Sequence, residues 1–132
     1  LPTTGESAKA ACVTVLGIAP ERWYVLASDQ SVLTSLRAAL SEAVVVLDGA
    51  FAILHLSGPR VQALLMKGLP LDLEDPRHAP GRTFTSRIGK TRVTIYRTGF
   101  DAFTLFVPRS LALFFYEWLE QAACDIGLAI EE

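Results

Sequence analysis

An α+β domain with a mostly antiparallel sheet, three helices and a duplicated ββα unit is the fold class that the 132-residue sequence predicts. Three observations carry it. Short apolar segments of period two, bounded by turn residues, outnumber the helical stripes. The elements read in the order ββα, ββα, βββα, which suits hairpins interrupted by helices rather than a run of parallel crossovers. Finally, Val13-Thr14-Val15-Leu16 echoes Val93-Thr94-Ile95-Tyr96, and Trp23-Tyr24-Val25-Leu26 echoes Phe103-Thr104-Leu105-Phe106, at one constant offset of 80 positions. Each copy is strand, turn, strand, helix, with the helices starting near Ser28 and Pro108.

Residues 11–16 (ACVTVL) alternate as a strand, Gly17-Ile18-Ala19-Pro20 breaks it, and residues 22–27 (RWYVLA) form the next. Ser28 or Asp29 can cap a helix that buries Val32, Leu33, Leu36 and Leu40. Residues 43–47 form a wholly apolar strand, and Asp48-Gly49 turns it into a hairpin with residues 51–56.

The stretch that organises the chain follows, LHLSGPRVQALLMKGLPLDL from Leu54 to Leu73. Leu54 and Leu56 end a strand. Pro59 suits the first helical position, where its missing N–H is not needed. Val61, Leu64 and Leu65 form an apolar stripe, Lys67 faces the negative end of a helix dipole, and Gly68 sits where a left-handed C-cap belongs. Pro70 stops any continuation.

Residues 72–81 form a polar, proline-rich connection without periodicity. Two strands, 83–88 and 91–97, meet at Gly89-Lys90. Alternation sends Val93 and Ile95 inward and Arg92, Thr94 and Tyr96 outward. A turn at Thr98-Gly99 leads to residues 102–107, with Phe103, Leu105 and Val107 on one face. The last helix starts at Pro108 or Ser110, buries Leu111, Phe114, Phe115, Trp118, Leu119 and Ala122, and ends at Gly127. The whole, residues 1–132, reads as one domain. The second copy of the echo is preceded by a strand–helix unit and the first is not, so the duplication predicts another such unit ahead of Leu1.

Apolar residues make up 51% of the chain and charged residues 20%, with positive mean hydropathy, a composition that suits a surface partly covered by another molecule or a generous core. No apolar run approaches the roughly 20 residues that cross a bilayer, so no membrane partner is expected. Leu1-Pro2-Thr3-Thr4-Gly5 matches a cell-wall sorting signal, but that signal acts near a C-terminus. Cys12 and Cys124 match no metal or redox spacing and read as buried thiols of a cytoplasmic protein.

No dinucleotide fingerprint, P-loop or nucleophile elbow is present, and neither cysteine has a histidine nearby in sequence. His55 reads as an outward-facing strand residue. Asp72, Glu74, Asp75 and His78 lack regular metal-ligand spacing and read as a solvated connection. Arg82, Arg87, Lys90, Arg92 and Arg97 lie in a stretch free of acidic residues. They suit a solvated face, a docking face for an acidic partner or nucleic-acid phosphates. The net charge of −2 and the lack of an aromatic stacking series argue against nucleic acid. Phe100 falls in a turn, and Phe106 and Tyr116 fall off the inward faces, where aromatics suit an interface or cover by another segment. The partner-interface candidates are Arg87, Arg92, Tyr96 and Phe100.

Leu56-Ser57-Gly58-Pro59-Arg60, Lys67-Gly68, Leu71-Asp72-Leu73, Gly81, Val107-Pro108-Arg109-Ser110 and Trp118-Leu119 resemble, in order, the gamma subunit family of heterotetrameric sarcosine oxidase. Trp23 after Pro20 and Val46-Leu47-Asp48 fit the same pattern. That family is similar in turn to the folate-binding domain of the glycine-cleavage T-protein. The loop before Gly81 departs from the pattern, with His78 where the family places an aromatic.

The resemblance implies a fold of two related halves, a truncated start, and a non-catalytic subunit packed against an alpha subunit. The implied complex demethylates sarcosine oxidatively to glycine, makes hydrogen peroxide, and passes the one-carbon unit to tetrahydrofolate. FAD, FMN, NAD, zinc and tetrahydrofolate are then implied for the partner subunits and none for this chain. The rival reading is a stand-alone T-protein-like protein that binds folate for one-carbon transfer. Asp48 and Asp72 are the acidic residues at element ends that could serve it.

Overall fold

The computed structural model describes residues 1–10, 13–40, 49–127 and 129. Cys12, the strand expected over 43–47 and Asp48 lie outside them. Seven strands and three helices are described: β1 (Ser7–Ala10), β2 (Val13–Ala19), β3 (Arg22–Ala27), α1 (Gln30–Leu40), β4 (Phe51–Ser57), α2 (Val61–Met66), β5 (Thr83–Ile88), β6 (Thr91–Gly99), β7 (Ala102–Pro108) and α3 (Ala112–Ala122). The fold class is α+β, as expected, but the strands form two antiparallel sheets in place of one. The first has the order β1-β2-β3 and the second β4-β7-β6-β5. Strand β1 is additional to the sequence reading, because SAKA alternates only alanine with polar residues and has no β-branched or aromatic side chain.

The duplication is visible in the pairing itself. In the β2–β3 hairpin Leu16 faces Tyr24 and Val15 faces Val25; adding 80 to each number gives Tyr96 facing Thr104 and Ile95 facing Leu105 in β6–β7. The irregularity follows the same rule, with one register shift between Gly17 and Ala19 and the other between Arg97 and Gly99. Gly17-Ile18-Ala19 therefore bulges the strand without ending it, and β6 runs through Thr98-Gly99 to a turn at Phe100-Asp101. A bulge adds one residue to one strand and sharpens its bend, which re-aims the hairpin end.

One face of the second sheet holds the core. Val93, Ile95, Leu105 and Val107 are fully buried there against Leu65 of α2 and Phe115 of α3, with Val61, Leu64 and Leu119 completing the layer. The other face is covered as well. Tyr24 of β3 packs its ring 5.5 Å from Phe51 and 6.1 Å from Phe106, so Phe106 and Thr94, expected outside, are buried. Leu16, the cross-strand neighbour of Tyr24, is fully buried on that same face. The N-terminal segment joins the two sheets, since Thr83 N–H donates to the Gly5 carbonyl at 2.9 Å and Trp23 Nε1 donates to the Pro2 carbonyl at 2.8 Å. The two halves differ in cover: Val25 is 41% exposed where its counterpart Leu105 is fully buried.

Helix ends differ from the sequence reading in instructive ways. Asp29 accepts from Ser31 N–H at 3.0 Å and so caps α1, whose Val32, Leu33 and Leu36 are half-buried. Helix α2 starts at Val61, two residues after Pro59, with Arg60 at its N-cap. Gly68 has no positive φ; a Cβ there would lie 2.5 Å from the Trp118 ring and 2.6 Å from Gly89 N, so close approach explains the glycine. Lys67 does face the negative end of a dipole, but that of α3, where its ammonium donates to the Ala122 carbonyl at 2.6 Å and pairs with Asp125. Helix α3 is preceded by a 3-10 turn, Arg109–Leu111, and ends at Ala122. Gly127 takes a φ of 92° beyond it. Leu111 and Phe114, expected in its buried stripe, are exposed, and Cys124 is exposed rather than buried.

Candidate partner interface

The five cations between Gly81 and Phe100 divide into two groups with different work. Arg97 belongs to the core face of β6, where alternation from Val93 and Ile95 places it, and is 2% exposed. Its Nη1 donates to the carbonyls of Leu73 at 2.7 Å and His78 at 2.9 Å, and its Nη2 to the Phe100 carbonyl at 2.9 Å. The guanidinium lies between two rings, 5.3 Å from the Phe100 centroid and 5.2 Å from that of Phe103. Burial pushes its pKa below the ordinary value, with Asp101 opposing. Arg82 is partly buried and lies 3.7 Å from Glu6. Neither residue is a free docking charge.

Arg87, Lys90 and Arg92 are exposed at the β5–β6 hairpin tip. Arg87 and Arg92 are direct cross-strand partners, and like charges so placed repel. Tyr96 shares the face of Arg92, lies opposite Thr83 and Thr104, and is half-buried. Phe100 stands apart. It is 70% exposed at the far end of β6, about 26 Å of strand from Arg92 at ~3.3 Å per residue. The four candidates are therefore two places on the surface, a cationic tip with Tyr96 beside it and an aromatic turn.

That turn is held rigidly. Gln62 Nε2 donates to the Phe100 carbonyl at 3.1 Å and to Asp101 Oδ1 at 3.0 Å, while Gly58 N–H donates to the Asp101 carbonyl at 3.1 Å. Exposed apolar side chains missed by the sequence reading stand elsewhere: Leu113 is 70% and Phe114 51% exposed at the start of α3. The sequence reading places Phe114 in the buried stripe of this helix and leaves Leu113 unassigned.

The remaining titratable candidates have structural partners. His55 is exposed on β4, with Nδ1 3.0 Å from Oγ1 of Thr104, its cross-strand partner. His78 is buried in a 3-10 turn, Pro76–His78, its ring tilted against Phe84 at a centroid distance of 4.5 Å and its Nδ1 2.8 Å from the Asp72 carbonyl. Its ring packs in this position as an aromatic side chain would. Asp72 is exposed and its carboxylate accepts from Glu74 N–H, while Asp75 accepts from Arg77. Hydrogen bonds from the Arg77 side chain and backbone hold the Asp75 carboxyl well below the usual range. Among the described residues no three histidine, cysteine or acidic groups are placed to share a metal ion, and no helix is long and apolar enough to cross a membrane.

Residues 5–125 match the model of the sarcosine oxidase, gamma subunit family. The chain belongs to that family. Among solved structures it is similar to a chain of the heterotetrameric sarcosine oxidase from Corynebacterium sp. U-96 in complex with pyrrole 2-carboxylate, with a TM-score of 0.84 and 24% identity. The similarity covers 98% of this chain and 69% of that one, and at this identity it shows the shared fold. No curated protein matches. Gly68 and Trp118, two residues of the motif set that resembles this gamma family, meet at the Gly89 turn of the folded chain.

Proposed function

We propose that this gamma-family chain is a non-catalytic structural subunit of a heterotetrameric sarcosine oxidase in the cytoplasm, held against a larger alpha subunit. The observation that carries this reading is the family match across residues 5–125. The surface supports it: rigidly held Phe100, exposed Leu113 and Phe114, and uncompensated cations at the β5–β6 tip are features that a partner surface would cover. Arg87, Arg92, Tyr96 and Phe100 remain the proposed contacts. FAD, FMN, NAD and zinc then belong to the partner subunits, as does the tetrahydrofolate that accepts the one-carbon unit from sarcosine.

The stand-alone folate reading asks for an acidic group at a pteridine. Asp72, the candidate within the described residues, sits on an exposed loop with its carboxylate bonded to the Glu74 amide. Spectroscopy and calorimetry on the purified chain separate the readings. The subunit reading expects a colourless protein with no reduced-folate binding at micromolar concentration. Stoichiometric flavin, or micromolar folate affinity, contradicts it.

A further inference from the structure

We propose that the β5–β6 hairpin tip is a docking site for a carboxylate-bearing surface of another subunit, and that its opposed arginines sacrifice stability of the free chain for assembly. The inference rests on the subunit reading above and adds a place, a chemistry and a consequence.

Of the five cations in this acid-free stretch, Arg97 is spent on three carbonyls and Arg82 lies against Glu6, so the unengaged positive charge is confined to Arg87, Lys90 and Arg92. Among the described residues none of these three has an ion pair. Arg87 and Arg92 face each other directly, an arrangement that costs stability unless an anion lies between them. The tip is also rigid. Ile88 is fully buried, Gly89 N–H donates to the Gly68 carbonyl at 3.1 Å, and the Trp118 indole closes over Gly89. Two guanidiniums on a fixed turn suit bidentate recognition of carboxylates with little ordering cost. A nucleic acid needs a stripe of cations along its phosphates, whereas these form one point on a chain of net charge −2. An acidic polypeptide surface fits the point.

The test uses the full chain co-expressed with the other subunits of its own complex, with Arg87→Glu, Arg92→Glu and, as a control, Arg22→Glu at the exposed start of β3. Each tip variant turns a repulsive cross-strand pair into an attractive one. Arg87→Glu should raise the Tm of the free chain by about 1–4 °C and weaken its association with the complex about tenfold or more. Association of the parent should weaken with rising salt, and Arg22→Glu should behave as the parent. Unchanged association for both tip variants overturns the tip as a docking site while leaving the subunit reading intact. A fall in Tm together with affinity overturns the exchange between stability and assembly. Retention of a DNA duplex by the parent chain at physiological salt overturns the choice of partner. A parent chain that joins no complex overturns the subunit reading and, with it, this inference.

Discussion

Arg97 donates a hydrogen bond to the backbone carbonyl of His78 at 2.9 Å, tying a loop that shows no periodicity to the core face of the central hairpin. The same guanidinium holds Leu73 and Phe100, so one side chain fixes the connection between α2 and β5 and the turn after β6. Arg97→Met leaves the buried Leu73 and His78 carbonyls without this donor, while the Phe100 carbonyl keeps its bond from Gln62. The expected loss is about 2 kcal/mol or more in urea unfolding, since each unsatisfied buried group costs about 1–3 kcal/mol. Arg97→Lys should recover only part, because an ammonium cannot reproduce the planar fork. A loss below ~1 kcal/mol for Arg97→Met would contradict this role.

Gly68 and Gly89 are required by one contact. A Cβ on Gly68 would stand 2.5 Å from Trp118 and 2.6 Å from the Gly89 nitrogen. Gly68→Ala should destabilise by about 1–3 kcal/mol, the usual cost of overpacking, and change the fluorescence of Trp118. Trp118→Phe should rescue it only partly, because the backbone of Gly89 does not recede with the indole.

The two sheets are joined through Tyr24 and Phe106. Phe106→Ala should cost about 3–5 kcal/mol. A double-mutant cycle with Tyr24→Ala should return a coupling of about 0.5–1.5 kcal/mol for the edge-on ring pair. Strict additivity would mean that the Tyr24–Phe106 ring contact adds nothing to the packing of the first sheet on the second.

Asp75 contributes to the acid dependence, as do Glu6, Asp29 and Asp125, whose carboxyls are also held below their ordinary values by hydrogen bonds. The folded pKa of Asp75 lies below the ordinary 3.8, so its contribution is present above that value and is lost as pH falls through the depressed one. Tm should be insensitive to this group from pH 7 to about 5 and should decline below about 4. Asp75→Asn should shrink that acid decline, measured as the difference in Tm between pH 6 and pH 3. An unchanged acid limb in Asp75→Asn would show that Asp75 does not contribute.

Most of the fold was legible because its signals are local. Val61, Leu64 and Leu65 announced α2, and the echo at 80 positions announced two hairpins whose pairing proves identical. What stayed hidden depends on long-range contact. Nothing near Phe106 in sequence says that Tyr24 will cover it. Gly68 looked like a C-cap because the Trp118 that crowds it lies fifty residues on. Arg97 was available from alternation, which places it beside Val93 and Ile95, but its charge argued for the surface. The candidate interface was half legible for the same reason: exposure of Arg87, Arg92 and Phe100 followed from local pattern, and the distance between tip and turn did not.

The central claim, that this chain serves as a held subunit without a reaction centre of its own, meets its most direct test in the mass of the assembly. Co-expression with the other subunits, followed by size exclusion with light scattering, should place the chain in a heteromeric particle whose flavin absorbance follows the larger subunits. A chain that elutes alone while the others form an active, fully assembled sarcosine oxidase without it would contradict the account.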